Sequence, residues 1–192
     1  MNLKFTKMQA TGNDYIFANL FDAGDFKIFN ETNWSQMAIR LSDRHFGIGS
    51  DGLILICPSD VADCRMRMFN ADGSEGAMCG NGIRCLGKYV YERGLIKKHI
   101  ICVETKSGIR TIYLDIEDEM YVKSICVDMG VPVFSSSLEI GSFFVTPVSI
   151  GNPHAVCFVP NSPSEYPVEK WGPFLECHPQ LRERSNVEFV QV

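Results

Sequence analysis

Arg65-Met66-Arg67-Met68-Phe69-Asn70-Ala71-Asp72-Gly73-Ser74-Glu75-Gly76-Ala77-Met78-Cys79-Gly80-Asn81-Gly82-Ile83-Arg84-Cys85-Leu86 changes its hydrophobic period partway along. Its first five residues alternate charged and apolar, as a half-buried strand does. Asp72-Gly73 is a turn signal. Beyond it Ile83, Leu86 and Val90 fall on one helical stripe and Arg84, Lys88 and Glu92 on another, so the spacing predicts a helix that Gly94 ends. Strand, turn and glycine-flanked helix start form the unit around which the rest of the chain is read.

Working outward, Trp34, Met37, Ala38 and Leu41 recur at helical spacing, with Thr32 or Asn33 as N-cap. Everything else has strand character. Leu3–Phe5, Tyr15–Leu20, Leu53–Ile56, Ile100–Glu104 and Ile109–Leu114 are short and rich in β-branched or aromatic residues, as are Tyr121–Met129, Phe143–Ile150, Ala155–Val159 and Val187–Val192. Two helices among so many strands predict a mixed α/β fold of the α+β kind, a sheet or barrel wrapped around a helix. A faint repeat runs through it. Gly12-Asn13-Asp14 and Gly151-Asn152-Pro153-His154 each precede a strand, and Gly49-Ser50-Asp51-Gly52 and Arg184-Ser185-Asn186 each precede another.

The totals exclude several classes. With 192 residues, 45% hydrophobic and 21% charged, the chain reads as a packed soluble protein. A formal charge of -5 argues against nucleic acid as partner. No apolar run approaches the ~20 residues of a membrane span and no leader pattern opens the chain, so the expectation is a cytoplasmic protein without a membrane anchor. Eight scattered cysteines without a C-x2-C pair support neither a disulfide framework nor a structural zinc site. Cys57, Cys102, Cys126 and Cys157 lie in apolar runs and are expected to be small buried hydrophobes.

The chemistry concentrates at Cys79. The first N–H groups of a helix lack internal partners and carry partial positive charge, which biases an adjacent thiol toward thiolate. The same groups can hold a substrate carboxylate, and Gly80 and Gly82 keep side chains out of its way. A buried structural thiol, a covalent nucleophile and a general acid–base thiol are three readings that the spacing alone leaves open. Cys85 falls on a later turn, faces elsewhere and is read as structural. Gly47-Ile48-Gly49-Ser50-Asp51-Gly52 is no dinucleotide fingerprint, because no helix follows it. Histidines 45, 99, 154 and 178 are too isolated for a metal site, and His154 alone is held as a residue that could tune a thiol.

Taken together these motifs resemble the N-terminal two-thirds of diaminopimelate epimerase. The resemblance runs through Phe5-Thr6-Lys7-Met8, Gly12-Asn13-Asp14-Tyr15, Gly47–Gly52, Phe69–Glu75, Cys79–Cys85, Gly151–His154 and Asn186-Val187-Glu188-Phe189. It implies a cofactor-independent isomerase of lysine and peptidoglycan-precursor synthesis. In that chemistry two thiols, one on each face of the α-carbon, interconvert LL- and meso-diaminopimelate. It makes Cys79 one acid–base thiol and Gly80 and Asn81 the donors to the α-carboxylate. It makes Asn13, Asn70, Asn152 and Asn186 substrate-binding residues and His154 a modulator of the cysteines. No metal and no cofactor is implied; the partner is a small molecule, and a homodimer is left open.

The implied fold is pseudo-symmetric, two halves each a β-barrel-like mixed sheet around a central helix, with the site in the cleft between them. Residues 1–125 would be the first half and 126–192 the incomplete start of the second. Gly52 departs from members that carry a substrate-touching side chain there. The second cysteine and a Glu-Arg clamp belong to sequence beyond residue 192, so the chain is expected to be inactive alone. The other readings are a proline-racemase-like or phenazine-biosynthesis-like isomerase, or a non-catalytic binding half-protein.

Overall fold

The computed structural model describes residues 3–21, 32–181 and 184–192, which form two compact units, Met1–Asp128 and Met129–Val192. In the first unit the strands are β1 (Thr6–Ala10), β2 (Asn13–Asn19), β3 (Gly52–Cys57), β4 (Cys64–Asn70), β5 (Glu75–Gly76), β6 (Ile100–Thr105), β7 (Gly108–Glu117) and β8 (Tyr121–Val127). Its helices are α1 (Trp34–Ser42) and α2 (Gly80–Glu92). The sheet runs β1-β2-β3-β4-β6-β7-β8, with β5 beside β4, and mixes parallel β2–β3 and β4–β6 pairs with antiparallel ones.

Helix α2 touches β1 and β8, the two ends of that order, as well as β2 and β7. A flat sheet could not bring both edges to one helix, so the sheet curls around α2. Its inner stripe, Ile83, Leu86 and Val90, is fully buried, as the period predicted. Helix α1 packs on the other face of β3 and β4, where Trp34 and Ala38 join Ile16, Ala18, Leu53, Leu55 and Phe69 in one cluster. Strand β3 is therefore covered on both sides. That is why Gly52-Leu53-Ile54-Leu55-Ile56-Cys57 is continuously apolar where β4 alternates.

Local signals hold at the helix ends. The Asn33 side chain caps α1 by accepting from Gln36 N at 3.1 Å. Past the end of α2, Gly94 takes φ +73°, the left-handed conformation that glycine permits.

The second unit contains β9 (Val133–Phe134), β10 (Leu138–Ile140), β11 (Phe143–Ser149), β12 (Pro153–Phe158) and β13 (Asn186–Val190), with α3 (Val168–Glu176) between the last two. Its sheet runs β10-β11-β12-β13, β9 pairing with β11. Ile140, Phe143, Val145, Ala155 and Cys157 bury one face together with Leu175 of α3 and Leu181. The repeat in the sequence has a structural counterpart. In each unit an antiparallel hairpin (β1–β2, β11–β12) is followed by a helix and a strand parallel to the hairpin's second strand (β2–β3, β12–β13). Helix α3 thus corresponds to α1, and the sequence reading passed over it.

Several other expectations change. Leu3–Phe5 precede β1 and are not a strand, because the ladder with β2 begins at Thr6↔Phe17. Cys57 and Cys157 are buried, but Cys102 is half-buried and Cys126 exposed. Strand β8 covers α2 with one face only, and Cys126 alternates onto the other.

Candidate active site

Cys79 is the N-cap of α2, in extended conformation at φ -135°, ψ 117°. Its Sγ accepts from the N–H of Gly82 at 3.3 Å, the role an aspartate or serine oxygen ordinarily takes at this position. Gly80 and Asn81 occupy the next two positions, where helix geometry gives N–H groups no intrahelical acceptor. A Cβ at Gly82 would stand 2.6 Å from Ile54 Cδ1, so a side chain there would have to displace the end of Ile54. Cys79 is half-buried and Cys85 buried, with burial pushing the Cys85 thiol up.

The first turn of α2 is tied to the β1–β2 hairpin. Thr11 Oγ1 donates to Asn81 Oδ1 at 3.0 Å, and Arg84 reaches Asn81 Oδ1, Gly80 O at 3.1 Å and Thr11 Oγ1 at 3.3 Å. Thr11 and Gly12 both have positive φ, 51° and 89°, as a two-residue hairpin turn of the primed kind requires. Threonine at such a φ is strained by about 1–2 kcal/mol. The Arg84 and Asn81 contacts are what hold it there.

Three strands hold a row of residues in register. Across the ladder Tyr15 faces Gly52, and Gly52 faces Asn70. Tyr15 is 5% exposed, and burial first of all pushes its phenol up from the ordinary value. Asn70 Nδ2 donates to Ser74 Oγ at 2.9 Å, holding the Asp72-Gly73 turn. Beneath the row lies an ionic cluster. Arg44 bonds Asp14 (2.7 Å) and Asp51 (2.9 Å), Lys7 adds a second contact to Asp14 (2.9 Å), and Asp51 Oδ2 accepts from Asp14 N at 3.0 Å. The Arg44 guanidinium, helped by Lys7, holds the Asp14 carboxyl far below the usual carboxylate range. Asn13, Asn70, Cys79, Gly80 and Asn81 are thus set by adjoining elements of the first unit.

The other expected residues belong to the second unit. His154 lies in strand β12, not in the turn before it. Its Nδ1 is 2.7 Å from Glu188 Oε1 and its Nε2 3.2 Å from Asn152 Oδ1. Asn186, its register partner, donates from Nδ2 to Pro153 O at 3.1 Å. Glu188, Tyr15, Thr11 and Arg84 were not singled out in the sequence. Arg84 had a signal, standing one helical turn after Gly80; Tyr15 was hidden by the apolar run that it opens.

Among the described residues no group of three or more His, Cys, Asp or Glu side chains could hold a metal ion. The arrangement offers a thiol that accepts the Gly82 N–H, further helix-start N–H groups beside it and an amide on the same turn. That set suits proton transfer next to a carboxylate.

Residues 5–135 match the family model described as diaminopimelate epimerase. The diaminopimelate epimerase of Acetivibrio thermocellus is 48% identical over 99% of this chain and 71% of its own length. That of Methanococcus maripaludis strain C6 is 45% identical over 99% and 72%, and that of Parabacteroides distasonis 46% over 100% and 70%. Among solved structures, a probable proline racemase from Agrobacterium radiobacter K84 with bound carbonate superposes with a TM-score of 0.70. It has 12% identity and covers 98% of this chain and 66% of that one. A hydroxyproline epimerase from Agrobacterium vitis with bound trans-4-hydroxy-L-proline gives 0.64 at 14% identity, covering 90% and 58%. At these identities the two structures speak for the fold.

Proposed function

The chain belongs to the diaminopimelate epimerase family of isomerases, and from that premise we propose that it works at the α-carbon of diaminopimelate, Cys79 serving as one of two proton-transferring thiols. The observation that carries this reading is the position of Cys79 as N-cap of α2, its sulfur receiving the Gly82 N–H. A thiolate there takes the α-proton and becomes a thiol. The electron pair passes into the α-carboxylate, whose developing charge the N–H groups of Gly80 and Asn81 stabilise. One well-aimed donor of this kind is worth about 3 kcal/mol of barrier. A second thiol, which the resemblance assigns beyond residue 192, delivers a proton to the opposite face and leaves as thiolate.

Asn13, Asn70, Asn152 and Asn186 are assigned to the substrate's polar groups. Amides donate and accept, so a set of them can read both an ammonium and a carboxylate. His154, aligned by Glu188, is assigned to tuning the thiols. The same reading makes the partner a small amino acid and places the enzyme in the cytoplasm; no helix among the described residues is long and apolar enough to cross a membrane.

The test is α-proton exchange and inversion of LL-diaminopimelate in heavy water. The 192-residue chain is expected not to invert it. A chimera extended with the remainder of the Acetivibrio thermocellus relative is expected to do so, and Cys79→Ala in that chimera to stop both exchange and inversion. Undiminished exchange in Cys79→Ala would remove Cys79 from the mechanism.

A further inference from the structure

The first turn of α2 is a poor helix by composition. Glycine stands at two of its first three positions, 80 and 82, and each is about 1 kcal/mol less favourable than alanine inside a helix. The Gly80 and Asn81 N–H groups assigned to the α-carboxylate thus sit on the most pliant turn of α2. Arg84 braces that turn. Its Nη1 donates to Gly80 O at 3.1 Å, and its Nη2 reaches Asn81 Oδ1 and, at 3.3 Å, Thr11 Oγ1. One planar guanidinium therefore bridges two residues of the turn and the β1–β2 hairpin.

The effect of this contact follows from peptide geometry. Gly80 C=O and Asn81 N–H belong to one planar peptide unit, so an anchor on the oxygen fixes the direction of the N–H. The helix ladder uses one lone pair of that carbonyl, and the guanidinium takes the second. A cation on the oxygen also polarises the unit and makes its N–H a stronger donor. The Asn81 side chain is oriented by the same group. Thr11 and Arg84 both donate to Oδ1 and leave the Nδ2 end of the amide for other partners. Helix stability does not account for Arg84, because a cation folded back over a first turn opposes the macrodipole. That turn has no acidic residue, and Arg84 forms no ion pair among the described residues.

We propose that Arg84 is a positioning residue for the substrate's α-carboxylate. By fastening Gly80 O and Asn81 Oδ1 to the β1–β2 turn, it aims and strengthens the Asn81 N–H beside Cys79. The hairpin is the firm end of the link, since Ala10 and Asn13 on either side of its turn close the ladder. That this N–H receives a carboxylate rests on the function proposed above; the brace itself does not.

The test has two arms. In the 192-residue chain, 15N relaxation is expected to give the Gly80 and Asn81 amides order parameters of about 0.85 in wild type. In Arg84→Met these two are expected to fall below about 0.6 while the later turns of α2 stay rigid. Unchanged values, or a fall spread along all of α2, would overturn the proposal. Where Arg84→Met does not fold, wild type decides: resolved Arg84 Nη–H resonances are expected, and freely averaged ones overturn the brace. The second arm uses the chimera completed from the Acetivibrio thermocellus relative. Charge on the carboxylate develops in the transition state, so Arg84→Met is expected to lower kcat for inversion about tenfold and to change KM by no more than about threefold. Arg84→Lys, which can keep the Gly80 contact alone, is expected to regain part of the loss. An unaltered kcat in Arg84→Met overturns the positioning role. A wild-type chimera that does not turn over counts against the substrate reading, and the relaxation arm then decides the brace by itself.

Discussion

His154 Nδ1 stands 2.7 Å from Glu188 Oε1, on the parallel strand beside it and two residues past its register partner Asn186. Residues two apart on a strand share a face, so β12 and β13 present the imidazole and the carboxylate side by side. A carboxylate only accepts, so the imidazole proton in this bond sits on Nδ1, and the neutral ring's Nε2 then accepts from the Asn152 amide with its oxygen and nitrogen exchanged. Glu188→Gln is expected to lose that bias, giving mixed tautomers in long-range 15N–1H correlation spectra, and to cost about 1–2 kcal/mol of stability. A single Nδ1–H tautomer surviving in Glu188→Gln would show that the strand geometry, not the carboxylate, sets the ring.

The cysteines should separate by environment. Burial pushes Cys57 and Cys64 up to about 12 and also raises Cys85, whereas the Cys79 sulfur is half-buried and receives an N–H. Iodoacetamide near neutral pH is expected to label Cys79 well before Cys57, Cys64 and Cys85. Equal rates at Cys79 and Cys85 would contradict the helix-start account of its reactivity.

What the sequence disclosed follows the reach of each signal. Periodicity showed β4 and α2 because each buries one stripe. The Cys79-Gly80-Asn81-Gly82 run was visible because capping is decided within four residues. Helix α3 was missed because Pro173 sits inside Val168–Glu176 and only Leu175 of it is buried, so the apolar stripe is weak. The repeat was the available clue, since α1 fills the same place between β2 and β3. Tyr15 and Glu188 were illegible for a different reason. Each meets its neighbour only across a ladder, Tyr15 beside Gly52 and Glu188 beside His154, and only strand register brings these pairs together.

The ionic cluster under the site should make the first unit sensitive to acid. Arg44 chiefly, with Lys7, holds Asp14 below its ordinary carboxylate value, and Arg67 does the same for Glu75 across 2.6 Å. A carboxyl depressed in the folded state contributes stability fully above its unfolded value of about 3.9 and loses it as pH falls toward the folded value. Urea unfolding of wild type and Asp14→Asn is therefore expected to show wild type more stable at pH 7, with the gap closing below about pH 4. A gap independent of pH would mean that Asp14 contributes through packing rather than charge.

Two glycine-to-alanine changes should move stability in opposite directions. At Gly52 a Cβ would meet Phe69 O at 2.2 Å, and that oxygen belongs to the adjoining strand, which cannot turn aside as a side chain can. Gly52→Ala must push β4 from β3 at the row that carries Tyr15 and Asn70, and overpacking of this kind costs about 3 kcal/mol. A Cβ added at Gly172, inside α3, would meet Val168 Cγ1 at 4.0 Å, an ordinary contact, and Gly172 has no positive φ. Gly172→Ala is expected to stabilise by up to about 1 kcal/mol, because alanine restricts the unfolded chain and favours helix. Thermal and urea midpoints of the two variants check both signs. Gly52→Ala as stable as wild type would mean that β3 and β4 part easily, and that the room for the Tyr15 ring is not set by the glycine.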